Sequence, residues 1–271
     1  MTITKKDIYN AINEAKLDGS IVCLHSSLKS FGYVEGGADT VVQAFLDAGC
    51  TLVTPSFTYE YKIAPLMEIK QNAQEDEYIP KPSGRIYAPD INEIASDMGA
   101  IPCAVVNTSG RCRGVHPTNS FVALGPYAGE IIESQTPEEV YAPFRVIMDK
   151  KGYIVMAGVD LTKMTIIHYA EQLAGRELFI RWALGPDGAP VRMREGSCSD
   201  GFDRLEQFVS DIEKQITVGN SLWRIYPVCE VVEACVKAIK QDAGITHCDN
   251  PKCTRCNDMQ KGGPKDKEQC K

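Results

Sequence analysis

The stretch "SIVCLHSSLKSFGYVEGGADTVVQAFLDAGCTLVTPSF", Ser20 to Phe57, decides the fold class. Two short apolar runs, "SIVCLHSS" and "CTLVTPSF", have the length and composition of buried strands. Between them "GADTVVQAFLDAG" repeats its apolar residues at helical spacing, and Gly49 stands where a helix would stop. Strand, helix and strand in this order make a βαβ unit. The segments "GAIPCAVVN" and "YIVMAGVD", then the helices "TIIHYAEQLAG" and "VCEVVEACVKAIKQ", carry the alternation onward. The expectation is an α/β fold, a central mixed sheet flanked by helices. A polar, proline-bearing stretch beginning at Tyr59 and reaching about residue 95 is too long for a plain connection. It reads as a lobe inserted over the active-site edge. Residues 1–246 then form one α/β domain, and 247–271 a Cys-rich tail in which the apolar pattern stops.

Composition narrows the function. The 271 residues carry 36 acidic against 29 basic side chains, a net charge of −7. That balance disfavours a nucleic-acid partner, whose phosphates require a basic surface, and suits a cationic ligand. The opening "MTITKKDIYNAINEAKL" reads as an amphipathic helix, and no apolar run is long enough to span a bilayer. Eleven cysteines at irregular spacing, several inside apolar runs, read as reduced thiols. A cytoplasmic protein is expected.

Three clusters carry candidate chemistry. His25, Ser26 and Ser27 end the first strand, and Gly36 and Gly37 open the following helix, where backbone N–H groups favour anions. A capped glycine turn has the same appearance. Arg113, His116 and Ser120 share the Gly- and Pro-broken segment "GRCRGVHPTNSFVALGP", which is equally readable as a solvated loop. In "IIHYAEQLAGRE" the spacing puts His168 and Glu171 on one helical face, so the carboxylate can orient the imidazole. A buried structural histidine would look alike.

In their order along the chain these motifs resemble the aminoglycoside 3-N-acetyltransferases, enzymes that use coenzyme A. The resemblance rests on "HSSLKSFGYVEGGA", "TLVTPSFTYE", "SDMGAIP", "RGVHPTNSFVALGPYA" and "TKMTIIHYAE", from about Ser20 to Gly175. It implies an acetyl-CoA-dependent N-acetyltransferase acting on an amine of an aminoglycoside or a similar small molecule. It further implies a coenzyme A site at Ser26, Ser27, Gly36 and Gly37, bordered by His25, His116 and Ser120, with Lys29 and Arg113 as charge partners. His168 becomes the general base and Glu171 its orienting carboxylate. A neutral imidazole suits the task, since an amine must lose its proton as it attacks a thioester. The chain departs from the family pattern where an Asp is expected six residues before this His; Thr162 stands there, and Asp160 is the substitute within reach. Acidic runs at Gln74–Tyr78 and Pro137–Tyr141 are candidate contacts for a polycationic acceptor.

The tail has its own chemistry. Cys248, Cys253 and Cys256, with His247 or Cys270 as a fourth ligand, have spacings that suit structural zinc. Two other functions fit the same motifs. A hydrolase would use Ser26 or Ser27 with His25, although the G-x-S-x-G elbow is missing. A non-catalytic coenzyme A-binding protein would have no need for the pairing of His168 with Glu171.

Overall fold

The computed structural model describes residues 2–74 and 84–265. Its centre is a seven-stranded sheet of β2 (Ile21–Ser26), β4 (Thr51–Pro55), β6 (Cys112–Arg113), β7 (Phe121–Leu124), β8 (Tyr153–Ala157), β11 (Lys214–Val218) and β12 (Ser221–Pro227), in the order β11-β12-β8-β2-β4-β7-β6. The three central strands β8, β2 and β4 are parallel, and antiparallel pairs extend the sheet on both sides. Both faces are covered, which is why the strands read as continuous apolar runs instead of alternating with polar residues. On β2, Val22 and Leu24 point to one face and Ile21 and Cys23 to the other. β8 divides in the same way, Val155 and Ala157 against Ile154 and Met156.

The first face is packed by α1 (Lys5–Ala15), α2 (Gly37–Asp47) and α3 (Ala100–Asn107), through residues such as Ile8, Ile12, Val41, Phe45, Ile101 and Val105. The second is packed by α4 (Ala128–Glu133), α5 (Ala142–Asp149), α6 (Ile166–Leu173), α7 (Glu206–Val209) and α8 (Val228–Gln241). Thr4 and Asp7 close a reciprocal capping box that starts α1. The segment "GAIPCAVVN" continues the pattern as α3. Pro102 lies in the first turn of this helix, where its missing N–H costs no hydrogen bond.

Two smaller sheets complete the fold. β1 (Thr2–Ile3) pairs in parallel with β3 (Tyr33–Val34). β5 (Lys62–Ile63), β9 (Phe179–Leu184) and β10 (Pro190–Glu195) form an antiparallel sheet in the order β10-β9-β5. Among the described residues of 59–95, β5 and a 3-10 turn at Tyr59–Tyr61 are the regular elements, and β5 fastens the segment to β9. The C-terminal segment packs against the body and includes α9 (Thr254–Gln260). Asp258 accepts from the Ala73 backbone N–H, Glu177 N–H donates to Gly262 O, and Met259 is buried against Ala73 and Phe179.

Trp223 anchors the first face. Its ring stacks on Phe45 at 5.7 Å and meets Phe31 edge-on at 5.9 Å, fully buried. Truncation would remove both aromatic contacts and leave a cavity that the sheet cannot collapse into. Trp223→Ala is expected to lower stability by about 3–5 kcal/mol, measured by urea unfolding.

Candidate active site

The centre of the site is His168 on α6. Its Nδ1 lies 2.9 Å from Glu171 Oε2, and both side chains are buried. An ionised carboxylate only accepts, so Nδ1 carries the proton and donates. Nε2 has no hydrogen-bond partner among the described residues, and its lone pair stays available. Glu171 is held in turn: its Oε1 accepts from Arg176 Nη1 at 2.5 Å and from Thr246 Oγ1 at 2.9 Å. Arg176 also donates to Thr246 Oγ1 and to Ala243 O. The helical spacing of His168 and Glu171 supplies the pair, and Arg176, in the turn that ends α6, neutralises it. Ring contacts fix the imidazole plane. Tyr141 stacks on it at 5.9 Å and Phe202 meets it at 4.8 Å.

Gly196 lies against the same ring. A Cβ there would stand 2.6 Å from two His168 ring atoms and 2.4 Å from the Tyr141 hydroxyl, to which Gly196 N–H donates. Only glycine fits. The preceding Glu195 is buried between Lys62 Nζ, at 2.8 Å, and Thr118 Oγ1. Burial alone would raise its carboxyl, but the charges of Lys62 and Arg181 and the two hydrogen bonds bring it down to about 2. Tyr59 is pushed up by burial and by the nearby Asp97 and Glu195 charges.

The other expected residues are distributed differently. His25, Ser26 and Ser27 occupy the carboxyl end of β2, beside Met156 and Ala157 at the end of β8, and the chain leaves β8 there toward α6. In open α/β sheets the ends of parallel strands are the usual ligand crevice. Gly99, at the start of α3, approaches the Ser26 carbonyl. The Ser26 hydroxyl is buried and unpaired among the described residues. His25 Nε2 faces Cys23 Sγ at 3.8 Å. Gly36 and Gly37 both take positive φ at the start of α2, and Lys29 is exposed on the intervening 3-10 turn Leu28–Phe31.

Arg113, His116 and Ser120 are hydrogen-bonded within the protein itself. The buried Arg113 guanidinium donates to the carbonyls of Ser56, Ile91 and Glu93 and to the hydroxyls of Ser56 and Ser120. Its Nε and Nη2 N–H groups are thereby taken up, and Nη1 donates to Ile91 O. Ser120 Oγ is within hydrogen-bond distance of Ser56 O and Oγ. His116 Nδ1 accepts from the Thr118 and Asn119 backbone N–H groups, so Nε2 carries the proton and donates to Arg194 O. These residues stitch the 113–120 loop to its neighbours. Asp160 caps the turn Leu161–Lys163 through the Thr162 N–H and hydroxyl, and the carboxylate bonded to His168 belongs to Glu171. In the acidic run Pro137–Tyr141, Glu138 pairs with Arg192 and Arg194, and Glu139 with Arg145. In the other run residues 75–78 lie outside the described part.

The tail cysteines converge, with one change of partner. Sγ atoms of Cys248, Cys253 and Cys256 share a cluster with that of Cys198, all within 4.8 Å of one another. His247, expected as a possible fourth ligand, is turned to Cys248 O and Asn257 Oδ1 instead. Cys270 lies outside the described residues. Cys198 sits some 50 residues before the motif, so no local spacing could reveal it. Tyr141, Gly196, Phe202 and Thr246 were equally hidden, whereas Arg176 stands in the quoted "IIHYAEQLAGRE" and carried a readable signal as a cation near a buried carboxylate.

A family model described as aminoglycoside 3-N-acetyltransferase matches residues 23–240. The chain belongs to that family. Aminoglycoside N(3)-acetyltransferase IX of Micromonospora chalcea is 31% identical over 163 residues, 58% of this chain and 57% of that protein. The alignment thus spans little more than half of that relative's length. The fold matches the apoenzyme structure of aminoglycoside acetyltransferase AAC(3)-IVa, with a TM-score of 0.77 at 20% identity over 97% of this chain and 98% of that one. It also matches a structure described as AAC-IIIb binary with CoASH, with a TM-score of 0.73 at 19% identity over 89% and 97%. The mixed sheet flanked by helices is accordingly the aminoglycoside 3-N-acetyltransferase fold.

His25 and His116 make stability depend on pH. Burial holds both imidazoles down to about 4, below the usual value near 6.5. A histidine whose folded pKa is depressed contributes stability above its unfolded pKa and loses it as pH falls toward the folded one. The unfolding free energy is therefore expected to fall between about pH 6.5 and 4, by up to about 3 kcal/mol per histidine. Urea titrations across that range check it, and His116→Gln should flatten the slope.

Proposed function

We propose that the protein transfers the acetyl group of acetyl-CoA to a primary amine of an aminoglycoside or a similar amine-bearing small molecule. The observation that carries this reading is the His168–Glu171 pair: a proton held on Nδ1, a free Nε2, and a carboxylate fixed by Arg176 and Thr246. His168 Nε2 accepts the amine's proton as the nitrogen lone pair attacks the thioester carbonyl. The tetrahedral intermediate then collapses, the C–S bond breaks, and the coenzyme A sulfur leaves with the proton returned from the imidazolium. Glu171 stabilises the transient cation that forms on His168. The fold likeness to a structure described as containing CoASH supports the cofactor. The carboxyl ends of β2 and β8, with Ser26, Ser27 and the Gly36–Gly37 turn, are where we place it.

The chain's net charge of −7 favours a cationic, amine-bearing acceptor. Any structural zinc belongs to the thiol cluster, outside the acetyl-transfer step. We also place the protein in the cytoplasm, on the strength of ten free thiols among the described cysteines. No helix of the described residues is long and apolar enough to cross a membrane.

The hydrolase reading has less support, because His25 is bonded to neither Ser26 nor Ser27 and lies against Cys23. Thiol release from acetyl-CoA separates the possibilities. Release that depends on an added amine is expected; release without amine would mean a hydrolase, and none with any amine would leave a binding protein. His168→Ala should lower turnover by about two to four orders of magnitude, with coenzyme A affinity nearly unchanged by calorimetry. Glu171→Gln should cost less, since the imidazole survives but loses its orienting charge. A well-folded His168→Ala protein with near-normal turnover would remove His168 from the mechanism.

A further inference from the structure

Four cysteine sulfurs in mutual reach make a ligand set of one chemical kind. A tetrahedral zinc ion with bonds of about 2.3 Å separates its thiolates by roughly 3.8 Å. The Sγ atoms of Cys198, Cys248, Cys253 and Cys256 all lie within 4.8 Å of one another, close to that requirement. Cys253 and Cys256 are spaced C-x2-C, with Cys248 five residues ahead, an ordinary zinc-ligand arrangement. The Cys248 backbone N–H points at Cys256 Sγ at 3.4 Å, a hydrogen bond that a coordinated thiolate accepts. All four stand as free thiols. Four soft donors without an imidazole or carboxylate select zinc over harder cations and leave no open position for catalysis.

The position of the cluster gives it a consequence. Cys198 lies in the short loop that follows β10, two residues after Gly196 and four before Phe202, the backbone and the ring that flank His168. The other three sulfurs belong to the C-terminal segment. That segment backs the loop directly: a Cβ on Gly201 would stand 2.5 Å from the His247 backbone, and Ser197 Oγ donates to Arg255 O. The same segment supplies Thr246 to Glu171. Among the described residues, few hydrogen bonds outside the cysteines join the loop to the segment.

We propose that Cys198, Cys248, Cys253 and Cys256 bind one zinc ion as a closed tetrathiolate site, and that this ion holds the Gly196–Phe202 loop against the His168 imidazole. Zinc binding displaces the thiol protons to solvent and changes no oxidation state. Cys198 is a positioning residue that acts through the loop, with no contact to substrate. The positioning half rests on the assignment of His168 as the base; the metal half stands on the cluster alone.

Elemental analysis of protein purified without chelator decides the metal half. About one zinc per chain is expected, lost in Cys198→Ser and in Cys253→Ser and retained in Cys103→Ser, whose exposed thiol lies outside the cluster. Replacement by cobalt(II) should give the intense visible absorption of a tetrahedral thiolate site, and Cys198→Ser should abolish it. Metal-free protein, iron in place of zinc, or disulfides among these four residues would overturn the assignment. The positioning half is read on zinc-depleted protein whose circular dichroism shows the fold retained. Turnover is expected to fall roughly 10- to 100-fold with coenzyme A affinity unchanged, and to recover on adding zinc. Independently of activity, the imidazole ¹⁵N resonances of His168, assigned with His168→Ala, should move on zinc removal. If zinc leaves and those resonances stay in place, the ion is a clip for the tail alone and the positioning half fails. If no acyl transfer is found with any amine, the resonances and the metal content still decide both halves.

Discussion

A buried carboxylate is the constraint around which the site is built. Glu171 sits in the packed second face of the sheet, and an isolated charge there would be driven to protonate or to leave. Three donors prevent this: Arg176 and Thr246 on one oxygen, His168 Nδ1 on the other. Each comes from a different place, the end of α6, the segment after α8, and the preceding turn of α6 itself. The chain must close its C-terminal part over α6 before Glu171 is satisfied. Breaking such a pair by removing one partner commonly costs about 3–5 kcal/mol, because the charge left behind has no compensation. The imidazole orientation therefore depends on the packing of the whole second face.

The mixed sheet delivers the chemistry to this carboxylate. Parallel strands β2 and β8 end together, so the Ser26–Ser27 turn and the connection to α6 leave the sheet at the same edge. The antiparallel pair β9 and β10 then brings Gly196, which follows β10, against the imidazole. Arg113, His116 and Ser120 have a quieter part. A buried guanidinium that donates to three carbonyls and an imidazole with both nitrogens paired hold the 113–120 loop. Arg and His in an irregular, glycine-broken segment carry the same letters whether they face phosphate or carbonyls, so the segment could not declare which.

Elements whose information is local were readable from the chain. The βαβ unit at Ser20–Phe57, the helix carrying His168 and Glu171, and the spacing that sets the two on one face all follow from periodicity, since neighbours along the sequence are neighbours in a helix or strand. The family motifs are local strings too. The antiparallel additions to the sheet, by contrast, depend on which edge was left unpaired, and that is a property of the assembled layers.

Tertiary structure alone decided the contacts that join distant segments. Gly196 reads as an unremarkable glycine after a strand until a Cβ at that point is seen to collide with His168 and Tyr141. Cys198 has no partner in its own neighbourhood, and the fold places its sulfur among those of the three tail cysteines. His247 had suitable spacing for the thiol cluster and is turned instead to the Cys248 carbonyl and the Asn257 side chain. Residue type and spacing say what a side chain is able to do. Which partner it meets is set by how three sheets and nine helices pack among the described residues, because hydrogen bonds and metal–ligand bonds act over about 2–3 Å while the chain separating the partners spans tens of residues.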